Sequence, residues 1–175
     1  MTLRSLLPYD KFKLFTRLTV FEVQERLAKN IEPKKVFVFS SFSTRSKPYE
    51  GEIVGASFKI NRIIGYRNSF LPVIRGEIST GMEKTEISII MRPTLGTIVF
   101  MSFWLGIIGI VCLVIITVAV RHAGEAFHQR FSPGGLIPFF LFAFGYGLMT
   151  IGYRVEARKS KNFLRTLWEA EENKQ

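Results

Sequence analysis

Two long charge-free runs constrain this chain more than any other feature. Residues 93 to 120 are 28 consecutive positions without a formal charge, and Leu95 to Val120 (LGTIVFMSFWLGIIGIVCLVIITVAV) form one apolar block of 26. At about 1.5 Å rise per residue, that block makes a helix of roughly 39 Å, longer than the roughly 30 Å hydrocarbon core of a bilayer. A second run, Phe131 to Tyr153, also lacks charge, and after Pro138 it holds almost only aliphatic, aromatic and small residues. As core helices of a soluble protein, the two would overwhelm the roughly 110 residues left to cover them. They predict two transmembrane helices, at about 95–120 and 133–153. The composition fits such segregation: of 175 residues 47% are hydrophobic and 17 are Phe, yet 24 Lys+Arg stand against 14 Asp+Glu. This excludes a disordered, collagenous or disulfide-scaffolded chain.

The twelve residues Arg121 to Ser132 join the runs, so an antiparallel hairpin with both chain ends on one side is expected. Residues 1 to 92 carry 16 Lys+Arg against 9 acids and residues 154 to 175 carry 6 against 4, whereas the tip has only Arg121, Arg130 and Glu125. By the positive-inside rule both termini are cytoplasmic, in a multi-pass protein of the plasma membrane, the inner membrane in a bacterium. Arg4, Asp10, Lys11, Lys13 and Arg17 interrupt the N-terminal stretch, so no cleavable signal is expected and the first span acts as an internal anchor. The single cysteine, Cys112, falls within that span and reads as an inert small hydrophobe.

Residues 1–92 read as a small cytosolic α+β domain. Thr19-Val-Phe-Glu22 fits a capping box, and Val20, Val23 and Leu27 recur on one face of a helix from about 20 to 30, before Pro33. Strands are expected at Val36–Ser40, about Glu50–Val54, Phe58–Tyr66, Leu71–Thr80 and Thr85–Arg92. The last two flank Gly81–Lys84, a loop of hairpin length. An antiparallel meander of four or five strands with a helix against it follows, since so small a sheet is marginal alone. Residues 93–153 are the transmembrane hairpin, and the last strand, running straight into Pro93, makes the domain membrane-proximal. Residues 154–175 read as a basic amphipathic helix with Phe163, Leu164, Leu167 and Trp168 on one face; that face covers the sheet or lies in the bilayer interface, the sheet being favoured. The fold class is thus an α+β membrane protein.

The stretch Phe58-x-Ile60-x-Arg62-x-Ile64-x-Tyr66-Arg67-Asn68-Ser69-Phe70-x-Pro72-x-Ile74-x-Gly76, followed by a strand and two apolar runs, resembles small bacterial two-span membrane proteins of uncharacterised function. The likeness covers most of residues 50–153. It implies the architecture and carries no activity.

Several groupings invite a chemical reading. Arg62, Tyr66, Arg67, Asn68, Ser69 and Arg75 are the densest polar cluster. Three converging guanidiniums would suit a phosphate or carboxylate, and the bland alternative is a capped turn with its arginines solvated or paired to Glu50, Glu52 and Glu77. Arg154, Arg158, Lys159, Lys161 and Arg165 follow a span and suit contact with anionic lipid, although setting topology explains them sufficiently. His122, Glu125 and His128, spaced i, i+3, i+6, are weak metal candidates; no metal and no cofactor is expected. Ser102-x-x-x-Gly106 and Ala143-x-x-x-Gly147 would allow close helix packing within the hairpin or between protomers. Neither run contains Asp, Glu, Lys, Arg or His, which argues against a transport site inside one protomer. No nucleophile elbow, phosphate-cradling loop or Cys–His pair occurs, so no catalytic residues are expected, and the dispersed charge argues against nucleic acid.

The expectation is a non-enzymatic accessory or scaffolding protein that contacts membrane lipids and binds a partner protein, or a second copy, through its cytosolic domain. The alternatives are an anion- or lipid-headgroup-sensing module built on the Arg-rich turn, and an oligomeric pore or transport subunit.

Overall fold

The computed structural model describes residues 8–33, 47–81, 83–121 and 133–172. The chain divides into two compact units, one formed by 1–94 with 152–175 and the other by Leu95–Ile151.

The first unit is α+β. Its elements are β1 (Asp10–Thr16), α1 (Val20–Lys29), β2 (Ile31–Pro33), β3 (Tyr49–Val54), β4 (Ser57–Arg62), β5 (Val73–Thr80) and β6 (Thr85–Arg92). They are joined by the end of a long helix, α3 (Ile137–Leu167), and by β7 (Glu171–Glu172). Among the described residues these strands form one sheet in the order β2-β3-β4-β5-β6-β1-β7. Every neighbouring pair is antiparallel except β2 and β3.

Local chemistry explains the element boundaries. The Thr19 hydroxyl accepts from the Glu22 amide and the Glu22 carboxylate accepts from the Thr19 amide at 2.7 Å, closing the expected capping box at the start of α1. Val23 and Leu27 are its buried stripe. β4 stops at Arg62, short of the expected Tyr66, because its partner β3 begins at Tyr49, directly after Pro48; the Pro48 carbonyl still accepts from the Ile63 amide at 2.9 Å, and there the ladder ends. β5 starts at Val73 rather than Leu71, since Pro72 has no N–H to give a ladder. The strand expected at Val36–Ser40 lies outside the described residues.

The sheet is larger than four or five strands. β1 is an addition to the expected strands, its alternation masked by the charges between the apolar positions; Phe12, Leu14 and Thr16 face the core while Lys11 and Lys13 point to the other face. β2 and β7, three and two residues long, are too short to show a period.

One sheet face carries the core. Leu14, Ile60, Ile74, Ile87, Ile89 and Met91 are fully buried with Val23 and Leu27 of α1 and Leu164 and Trp168. The C-terminal segment therefore packs on the sheet. Phe163 meets the Tyr49 ring at 4.8 Å between centroids, and Trp168 meets Phe58 at 5.8 Å. Phe58 in turn lies over Gly76, where a Cβ would sit 2.1 Å from its ring. Trp168 Nε1 donates to the Val23 carbonyl at 3.1 Å, and Thr16 Oγ1 to the Trp168 carbonyl at 2.6 Å. This segment is not a separate helix starting at 154: α3 is unbroken from Ile137 and ends at Leu167, short of Glu172. No proline interrupts the helix-forming residues between Arg154 and Leu167.

The second unit pairs α2 (Leu95–Arg121) with a short 3-10 turn, Pro133–Leu136, and the first part of α3. Trp104 lies against Gly145, where a Cβ would meet its ring at 2.2 Å, and Phe142 lies 3.5 Å from the Cβ position of Gly109. Outward-facing side chains are apolar and bare, with Phe100, Phe103, Ile110 and Leu113 all more than 60% exposed. Both helices are long and apolar enough to cross a membrane.

Candidate functional site

The most organised polar cluster lies on the covered face of the sheet and centres on Glu156. Alternation along β4 puts Arg62 on the same side as Phe58 and Ile60, and the following loop brings Tyr66 alongside. The loop is shaped by Asn68, whose Oδ1 accepts from the Phe70 amide at 2.9 Å while its Nδ2 donates to the Gly152 carbonyl at 3.2 Å. Arg62 and the Tyr66 hydroxyl both donate to the Glu156 carboxylate, and Lys159, one turn further on, donates to it at 3.0 Å. Glu156 is only 1% exposed. Burial pushes its carboxyl up, but the hydrogen bonds from Tyr66, Lys159 and Arg62 outweigh this and hold it below its ordinary range. The same Glu156 contact pushes the Tyr66 phenol up. Ser160, one turn after Glu156, is fully buried.

This geometry separates the residues of the Arg-rich turn. Arg62 and Tyr66 are engaged by Glu156, Arg67 is exposed in the loop, and Arg75 points to the opposite face of the sheet, next to Lys59 in the β4–β5 register. The three guanidiniums do not converge on one anion. In the basic segment, Lys159 belongs to the Glu156 cluster, and Lys161 pairs with Glu172 at 2.6 Å and sits 4.4 Å from the Phe12 ring centroid. Arg158 and Arg165 are exposed. The pairing of Glu156 with Arg62 joins positions 94 apart, beyond any sequence period, although a lone carboxylate at a core-facing helix position was a visible signal.

The opposite face of the sheet has no element packed on it among the described residues. Register lines up Glu52, Lys59, Arg75, Ile90 and Lys11 in one row across β3, β4, β5, β6 and β1. The row crosses an open concavity of about 770 Å³, with Val54, Ser57, Glu77, Ser88 and Lys13 beside it. Lys13 is paired with Glu86 at 2.6 Å, whereas Lys11, Lys59 and Arg75 have no ion partner among the described residues. The alignment of Lys11 with Lys59 and Arg75 depends on strand order, which spacing along the sequence does not reveal.

Within the hairpin the small-residue motifs are not where the helices touch. Ser102, Gly106 and Ala143 are exposed, and neither Gly106 nor Gly147 has an atom within 4 Å of its Cβ position, whereas Gly109 and Gly145 take the ring contacts. His122, Glu125 and His128 lie outside the described residues, and among the described residues no group of three or more His, Cys, Asp or Glu could hold a metal.

Compared with protein-family models, curated proteins and solved structures, the chain matches none of them.

Proposed function

We propose that this chain is a two-span integral membrane protein, with both termini cytoplasmic, whose α+β unit acts as a non-enzymatic accessory that binds a partner protein. The observation that carries this reading is the contrast between the units. One has a closed hydrophobic core; the other leaves Phe103 69% exposed among a surface of similar side chains, which suits hydrocarbon and not water. The excess of Lys and Arg on both sides of the hairpin supports the orientation. The accessory role is supported by the Glu156 cluster, whose polar groups hold one another and the fold together instead of facing a cavity.

The test uses single cysteines placed in a Cys112→Ala background. Ser132→Cys should react with a membrane-impermeant maleimide in intact cells, and Asn173→Cys only after permeabilisation. Reaction of both, or the reverse pattern, overturns the orientation. Affinity purification of the full chain in mild detergent should recover a partner in defined ratio; recovery of the chain alone, repeatedly, overturns the accessory role.

A further inference from the structure

The sheet face on which no described element packs carries an arrangement that its own stability does not explain. Lys59 and Arg75 stand directly opposite each other on neighbouring strands, a placement at which like charges destabilise a sheet. Glu52 is the cross-strand neighbour of Lys59 on its other side, yet it forms no ion pair with it. Lys11 completes the row on β1. Cations left unpaired at a cost to stability, in a concavity, are characteristic of a surface shaped by what it binds.

Building on the accessory reading, we propose that Lys59, Arg75 and Lys11 form the docking row for an acidic, extended segment of a partner protein, with an apolar side chain seated on Ile90. Spacing sets the pattern. Strands lie about 4.8 Å apart, so Ile90 is roughly 7 Å from the midpoint of Lys59 and Arg75 and about 5 Å from Lys11. An extended segment repeats side chains on one face every 6.6 to 6.8 Å or so. One carboxylate shared by Lys59 and Arg75, an apolar residue two positions on over Ile90, and a second carboxylate two further on at Lys11 therefore match, given the reach of a lysine. The partner motif is acid-x-apolar-x-acid. The flanking Glu52, Glu77 and Glu86 favour discrete carboxylates over a uniformly anionic lipid surface, because they would oppose charge arriving between the cations.

The experiment is site-specific photo-crosslinking in cells with the full-length protein. A photoreactive phenylalanine analogue is placed at exposed Ser57, inside the concavity, and in a second strain at Phe21, which is 74% exposed on α1. The Ser57 probe should crosslink a polypeptide segment carrying two acidic residues in that spacing. Its yield should fall by about tenfold in the Lys59→Glu, Arg75→Glu double variant and recover when the captured acids are changed to lysine. The double variant keeps like charges opposite each other and adds one beside Glu52, so a Lys59→Gln, Arg75→Gln variant, which removes charge without new repulsion, should lose the crosslink while melting cooperatively. Crosslinks at Ser57 to lipid alone, to a segment without acids, or insensitive to charge reversal overturn the proposal. A protein captured only from Phe21 overturns the docking row while leaving the accessory reading in place; capture from neither overturns both.

Discussion

Arg62, the last residue of β4, is ion-paired with Glu156 on α3, a carboxylate closed off from solvent, and the pair links two elements of the first unit across 94 positions of sequence. A buried carboxylate held by three donors stabilises the fold only while all three stay in place.

Glu156→Gln should therefore lower the stability of the α+β unit by about 3 kcal/mol, the low end of the cost of breaking a buried ion pair, because Arg62 is itself partly exposed. The folded carboxyl titrates below its ordinary range, so its contribution is present above the unfolded value and is lost as pH falls through the folded one. Thermal unfolding in detergent should show the wild type losing stability on acidification below about pH 4, with a flatter profile for Glu156→Gln. Equal pH profiles would refute the role of this group.

Gly76 is occupied from above by the Phe58 ring, which is pinned in turn by Trp168. Gly76→Ala should destabilise by about 1–3 kcal/mol, because the added Cβ would overlap the buried Phe58 ring and force it to shift. Phe58→Leu in the same chain should recover part of that loss, giving a coupling of about 1 kcal/mol in a double-mutant cycle of thermal midpoints. Additive effects would show that the ring moves aside freely.

In the hairpin, Gly145→Ala should disturb packing through Trp104, whereas Gly147→Ala, with open space at its Cβ position, should not. Heating in detergent while following near-ultraviolet circular dichroism separates the two. If Gly147→Ala is the more damaging, that face is packed against a second copy of the chain.

Arg75→Glu replaces the like-charge pair with Lys59 by an opposite-charge one, with the uncharged Ile90 on its other side. It should raise stability by up to about 1 kcal/mol, less at high salt, while weakening partner capture. A stabilised variant that captures normally would separate this row from binding.

Local chemistry was legible in the sequence wherever it lies within a few residues. The Thr19–Glu22 box, the alternation of Ile87, Ile89 and Met91, and the two apolar helices all follow from spacing. β1 was legible in the alternation of Phe12, Leu14 and Thr16 but was obscured by the charges between them. The Glu156 cluster and the Lys59–Arg75–Lys11 row were not legible, since each depends on which strands become neighbours. That order places β1, from the start of the chain, between β6 and β7. The convergence of Arg62 with Arg75 failed for a simpler reason: even and odd positions of paired strands face opposite sides.

Two of the residues that close the hydrophobic core follow the apolar hairpin in the chain. Trp168 and Leu164, both fully buried against the sheet unit, follow the whole apolar hairpin, while Leu14, Ile60 and Ile89 leave the ribosome long before it. The sheet consequently waits, unsealed, through translation of both apolar helices, and its maturation is ordered in time: the hairpin must be made before the domain can lock.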